Sequence, residues 1–118
     1  MKRIVILDPV SPDAVKRLAE ETGWKVEERL GLSPEEIPAN VEDADVIIVR
    51  SATKVTAEVI EAARRLKVIG RAGIGVDNID MESASEREIR VVNTPGATTI
   101  PVAELTLERA KRLVESGF

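Results

Sequence analysis

Short aliphatic runs recur along this chain of 118 residues, and segments with helical patterns lie between them. The two clearest runs are residues 4–7 (IVIL) and 46–49 (VIIV), which are apolar at four consecutive positions. A strand that is apolar on both sides has to be covered on both sides, as happens in a parallel sheet between two layers of helices. The alternation therefore predicts an α/β domain built on a parallel sheet.

Five strands and five helical segments are predicted in alternation, and together they indicate one domain over residues 1–118. The strands are residues 4–7, 24–27, 46–49, 66–69 and 90–92, and the helices lie over residues 12–22, from residue 33, from residue 56, over residues 81–87 and from residue 100 to near residue 114. Five parallel strands in a chain of this length favour a flavodoxin-like three-layer sandwich with strand order 2-1-3-4-5.

The composition excludes several kinds of chemistry, because the chain has no histidine, cysteine or tyrosine. A Ser-His-Asp relay, a thiol nucleophile, a zinc finger and a disulfide all need residues that are missing here. The formal net charge is −4 with interspersed signs, and only Trp24 and Phe118 are aromatic, which argues against nucleic-acid binding. No apolar run is long enough to span a bilayer. We therefore expect a cytoplasmic protein, a monomer or weak homodimer, without nucleic-acid or membrane partners.

Polar residues follow four of the predicted strands, at the edge where parallel sheets bind ligands. They are Asp8 after the first strand, Arg50 and Ser51 after the third, Arg71 in a glycine-rich loop over residues 70–75 after the fourth, and Asn93 after the fifth. Guanidinium groups and loop N–H groups both suit carboxylate or phosphate oxygens, so the pattern indicates an anion site. From the residues alone, an equally good interpretation is that Arg50 and Arg71 cap carbonyls or pair with aspartates.

The same segments disfavour more specific sites. Gly70, Gly73 and Gly75 have the spacing G-x-x-G-x-G, which is not the dinucleotide fingerprint G-x-G-x-x-G. Residues 77–80 (DNID) carry two aspartates, which cap a following helix more often than they bind a metal, so no metal site is predicted. Arg50 stands where a receiver domain needs a phosphoacceptor aspartate, and the segment after the first strand lacks the glycines of an FMN phosphate loop.

Four segments, in order along the chain, resemble blocks of the D-isomer-specific 2-hydroxyacid dehydrogenases, in particular the substrate-binding domain of the D-3-phosphoglycerate dehydrogenase family. They are residues 48–56 (IVRSATKVT), 68–80 (VIGRAGIGVDNID), 92–96 (VNTPG) and 102–106 (VAELT), and the resemblance extends to about residue 107. It implies a two-domain enzyme that oxidises 3-phosphoglycerate to 3-phosphohydroxypyruvate with NAD in serine synthesis.

The resemblance also implies roles for single residues. The substrate-binding set would be Arg50, Ser51, Arg71, Gly73, Ile74 and Asn93, and the residues on the nicotinamide side would be Ile74 and Gly75. The family's catalytic residues and its G-x-G-x-x-G loop have no counterpart here, so we expect no catalytic residue and no cofactor in this chain, with NAD belonging to the complete enzyme. We interpret the chain as an excised or engineered half-enzyme, inactive alone, that binds a small phosphorylated hydroxy acid weakly. The alternative is a structural module without a ligand.

Overall fold

The computed structural model describes residues 2–9, 15–16, 19–20, 24–50, 52–71 and 77–93. Five strands form one sheet in the order β2-β1-β3-β4-β5, and every neighbouring pair runs parallel. The strands are β1 (Arg3–Ile6), β2 (Lys25–Glu28), β3 (Val46–Val49), β4 (Val68–Arg71) and β5 (Arg90–Asn93). The predicted α/β class, the five-stranded parallel sheet and its strand order are therefore confirmed.

Three helices are described in full: α1 (Ile37–Asn40), α2 (Ala57–Ala62) and α3 (Met81–Glu86). Two of them begin at side-chain caps, because Thr56 accepts a hydrogen bond from the N–H of Val59 and Asp80 accepts one from the N–H of Ser83. Among the described residues no helix is both long and apolar enough to cross a membrane. Of the helix predicted over residues 12–22, residues 15, 16, 19 and 20 are helical, and its remainder and the predicted last helix lie outside the described residues.

The three inner strands β1, β3 and β4 are buried on both faces, as their apolar sequences require, whereas the edge strands β2 and β5 are partly exposed. One face packs against the three helices in a single cluster. The strands contribute Val5, Ile47, Val49 and Ile69, the residue after β1 contributes Leu7, and the helices contribute Ile37, Val59, Ile60 and Ala84. Side chains alternate along a strand, so the remaining strand residues face the opposite side. Those residues, Ile4, Ile6, Val46, Ile48 and Val68, have no exposed surface.

The fourth strand begins and ends later than the sequence predicts. The N–H of Leu66 still bonds to the carbonyl of Ala63, so the turn after α2 continues to that point. The parallel ladder then runs on through Gly70 and Arg71, each of which has a partner on β3 and on β5. The placement of Gly70 and Arg71 in a loop was wrong, because pairing on both sides keeps them in the strand. Asn93 is likewise the last residue of β5 and does not follow it.

Candidate functional site

The carboxyl ends of β3, β4 and β5 bring three of the predicted site residues side by side. In the ladder Val49 is opposite Arg71, and Arg71 is opposite Asn93, while Arg50 follows Val49 directly. Neighbouring strands lie about 4.8 Å apart, so the backbones at these positions fall within roughly 10 Å of one another. This edge of the sheet therefore carries two arginines on adjacent strands.

The two arginines differ in exposure. Arg71 is buried, with 8% of its surface exposed, and its strand has neighbours on both sides. Arg50 is exposed at the end of β3. Both guanidinium groups can bind carboxylate or phosphate oxygens, the buried one in a fixed geometry and the exposed one with more freedom of movement.

The turn that follows β3 is bonded to the end of β1 through one aspartate. Asp8 is 4% exposed, and its Oδ2 accepts hydrogen bonds from the N–H of Arg50 (2.7 Å) and of Thr53 (3.1 Å). Its Oδ1 accepts a third bond from the hydroxyl of Thr53 (2.5 Å). Both carboxylate oxygens are thus engaged with the turn that carries Arg50.

The same turn is bonded from its other side by the segment before α3. The Nδ2 of Asn78 donates to the carbonyl oxygens of Arg50 and Thr53, both at 2.6 Å. Next to it, Val55 forms a parallel bridge with Ile79, and the N–H of Val55 donates to the carbonyl of Asn78 (2.8 Å). Two segments that are distant in sequence therefore meet at the backbone of Arg50.

Several predicted site residues lie outside the described part of the chain. These are Ser51, Gly73, Ile74 and Gly75, and of Asn93 only the backbone is described. Asp8 and Asn78, which bond to the turn that carries Arg50, are not among the predicted site residues. The sequence pattern puts Asp8 at this edge without giving it a role, and it indicates only a capping segment around Asn78.

The prediction that residues 77–80 cap the following helix is confirmed for Asp80, whose carboxylate accepts a hydrogen bond from the N–H of Ser83 at 3.1 Å. No three acidic side chains of the described residues come close enough to hold a metal ion.

A cavity of about 290 Å³ opens beside the turn but is separate from the two arginines. Its lining is mainly apolar and includes Leu7, Leu30, Leu32 and Ile37, with Asp8 and Thr53 at one side. Neither Arg50 nor Arg71 contributes to this lining. The positive edge and the cavity are therefore different features of the surface.

The chain matches known proteins over nearly its whole length. Residues 4–114 match the family model described as D-isomer specific 2-hydroxyacid dehydrogenase, catalytic domain, which extends beyond the region of about 107 residues recognised by resemblance. The D-3-phosphoglycerate dehydrogenase of Methanocaldococcus jannaschii is 57% identical over 107 residues, which are 91% of this chain and 20% of that protein. The hydroxypyruvate reductase of Thermotoga maritima is 45% identical over 105 residues, which are 89% of this chain and 34% of that protein.

Solved structures agree with these relatives in fold. The NAD+-bound 3-phosphoglycerate dehydrogenase of Entamoeba histolytica superposes with a TM-score of 0.72 at 37% identity, covering 80% of this chain and 33% of that one. The chain therefore spans about a fifth of the length of the first curated relatives it matches and a third of this structure.

Proposed function

Because this chain belongs to the D-isomer-specific 2-hydroxyacid dehydrogenases, we propose that it is the substrate-binding domain of an enzyme that oxidises 3-phosphoglycerate with NAD, in serine synthesis. The observation that carries the proposal is the pair Arg50 and Arg71 on adjacent strand ends. The substrate has a carboxylate and a phosphate, and each is a natural partner for a guanidinium fork. The 57% identity to a D-3-phosphoglycerate dehydrogenase supports the same substrate.

Within this proposal the two arginines act differently. The guanidinium of buried Arg71 is held in one orientation. It therefore supplies specificity for a planar anionic group that accepts two parallel hydrogen bonds from it. Exposed Arg50 attracts the substrate and closes on its second anionic group. Ser51, Gly73, Ile74 and Asn93 provide further contacts, on the strength of the family resemblance, and Ile74 and Gly75 face the nicotinamide.

The residues of this chain do not fit a complete NAD site. Its sequence contains no G-x-G-x-x-G segment, which is the loop that receives the pyrophosphate, and no histidine to serve as a base. NAD supplies the hydride acceptor of the reaction, and its binding depends on parts other than this domain. We therefore expect the chain to bind substrate weakly and to show no turnover by itself, because an open half-cleft buries less of a ligand than a closed one.

The test is a titration with 3-phosphoglycerate followed by amide NMR, with D-glycerate as the matched ligand that lacks phosphate. Arg71→Met should weaken binding of 3-phosphoglycerate by about 10- to 100-fold, because charge-assisted hydrogen bonds are lost. The control is Arg64→Met, which removes an exposed arginine in the turn before β4, at the opposite edge of the sheet, and should leave affinity unchanged. Circular dichroism establishes that each variant is folded.

Two results would change the proposal. Equal affinity for D-glycerate would show that the phosphate is not recognised and would favour an unphosphorylated substrate, which is consistent with the similarity to a hydroxypyruvate reductase. No shift of any resonance at millimolar ligand would leave a structural module without a ligand. In a parallel assay, NADH absorbance with NAD and 3-phosphoglycerate should stay flat, and clear turnover by the pure chain would contradict the expected inactivity.

A further inference from the structure

The backbone at Arg50 is held by two side chains from different parts of the chain, Asp8 and Asn78. Asp8 lies 42 residues before Arg50 and Asn78 lies 28 residues after it. Together they make five hydrogen bonds to Arg50 and Thr53, of which four involve backbone atoms. We call this arrangement of Asp8, Arg50, Thr53 and Asn78 the turn clasp.

The chemistry of the turn clasp leaves little freedom in how its members are oriented. The carboxylate of Asp8 only accepts hydrogen bonds, and its three partners are all donors. The partners of Asn78 are two carbonyl oxygens, which only accept, so its NH₂ group has to face them and its amide cannot be turned around. Every N–H and C=O of Arg50 and Thr53 is thereby bonded to one of the two side chains.

The turn clasp also affects the charge of Arg50. A carboxylate so close to an arginine would ordinarily form an ion pair with it, but both oxygens of Asp8 are directed to the turn. Among the ion pairs of the described residues, none involves the Arg50 guanidinium. The backbone of Arg50 is fixed while its positive charge stays available to solvent.

We propose that Asp8 and Asn78 are positioning residues, which hold the turn so that Arg50 extends from a fixed backbone toward the anion. The part of this inference that concerns the anion rests on the proposed function. The physical reason is that a ligand-binding group has to be held to within about 0.5 Å, and an exposed arginine on a free loop would pay both backbone and side-chain entropy on binding. The turn clasp removes the backbone share of that cost.

The first experiment measures the turn clasp without any ligand, by hydrogen exchange at the amides of Arg50, Thr53 and Val55. Asn78→Asp keeps the shape of the side chain but replaces its NH₂ donor by a carboxylate oxygen, which repels the carbonyl oxygens of Arg50 and Thr53. The turn should therefore open more often, and exchange at these amides should be about tenfold faster. The control is Asn40→Asp, which makes the same change of charge at an asparagine bonded to the carbonyl of Glu36. The amide of Lys67, bonded to the carbonyl of Asp45, serves as the internal reference.

Variants of Asp8 give a second, independent measurement. Asp8→Ala removes all three acceptors and should expose the amides of Arg50 and Thr53. Asp8→Asn should restore their protection, because its oxygen can accept from the two N–H groups while its NH₂ donates to the hydroxyl of Thr53. Unchanged exchange in both Asn78→Asp and Asp8→Ala would overturn the inference.

The second experiment separates positioning from general stability by a double-mutant cycle for 3-phosphoglycerate affinity. If Asn78 acts through Arg50, Asn78→Asp should weaken binding by about fivefold to tenfold in the native chain and hardly at all when Arg50 is already methionine. An equal loss in both backgrounds would show that Asn78 does not act through Arg50. If the native chain does not bind 3-phosphoglycerate, the proposed function fails, and the exchange measurements alone decide whether the turn clasp exists.

Discussion

Arginines at two regions of this sheet have different neighbours, although the side chain is the same. Beside β1 and β2, Arg3 contacts Glu27 (2.9 Å) and Asp43 (3.1 Å), and Arg29 contacts the same two carboxylates. At the end of β3, by contrast, the carboxylate next to Arg50 is bonded to backbone N–H groups and a hydroxyl. What an arginine can bind therefore depends on the existing bonds of the carboxylates around it.

The cluster of Arg3, Glu27, Arg29 and Asp43, which we call the ion-pair cluster, lowers the pKa of both of its carboxylates. The hydrogen bond from Arg29 lowers the pKa of Glu27. Burial works to raise the pKa of Asp43, but the hydrogen bond and charge of Arg29 outweigh it and the pKa is lowered. The cluster also joins β2 to α1, because Arg29 donates to the carbonyl of Asn40. We therefore expect the arginines of this cluster to stabilise the fold through these contacts.

Among substitutions in these two regions, we expect the greatest change in anion binding from Arg50→Met. We expect about a tenfold or greater loss of affinity for 3-phosphoglycerate, with the free energy of unfolding unchanged to within about 0.5 kcal/mol, because an exposed side chain without an ion pair stabilises little. Isothermal titration and urea unfolding on the same preparation measure both quantities. A large loss of stability with unchanged affinity would place Arg50 in the same class as Arg29.

The reciprocal change is Arg29→Met, which we expect to lower the free energy of unfolding by about 1 kcal/mol and to leave anion affinity unchanged. The loss arises because Arg29 contacts two carboxylates and one backbone carbonyl, and because Glu27 is left half-buried beside fewer cations. Urea unfolding measures it. If Arg29→Met reduced anion binding as strongly as Arg50→Met, the arginines of the two regions would not differ in role.

The ion-pair cluster also predicts a dependence of stability on pH. The folded chain holds the pKa values of Glu27 and Asp43 below their unfolded values, so the unfolded state binds more protons as the pH falls. The stabilisation is present in full above the unfolded values, about 4, and is lost as the pH falls through the lower folded values. Arg29→Met should thus cost less stability at pH 3 than at pH 6 in urea titrations, and a cost independent of pH would contradict the assignment.

Much of the fold could be predicted from the sequence because it depends on local patterns. Four consecutive apolar residues at 46–49 require cover on both faces, and this alone points to a parallel sheet. The end of β4 could not be predicted, because Gly70 and Arg71 look like loop residues and remain in the strand only through their partners on β3 and β5. Pairing with neighbours decides such boundaries, and no local pattern records it.

Of the candidate site, the positions of the two arginines could be predicted from the sequence, but the side chains that hold the turn could not. Arg50 and Arg71 follow from their place at the ends of apolar runs, since parallel strands bring their carboxyl ends together. The roles of Asp8 and Asn78 depend on bonds between residues that are 25 to 45 positions apart. Those bonds become visible only when the register of the strands is known.

The smallest effect is expected at the margin of the ion-pair cluster. Lys25 pairs with Glu27 at 3.3 Å, but its side chain is 51% exposed, so water and salt compete for both charges. Lys25→Met should lower the free energy of unfolding by about 0.3 kcal/mol, and this difference should vanish in 1 M NaCl. Urea unfolding at low and high salt measures it. The alternative result is a loss of unfolding free energy as large as that of Arg29→Met. It would mean that the number of ion pairs determines how much an arginine or lysine stabilises this sheet, and that burial and bonds to the backbone matter little.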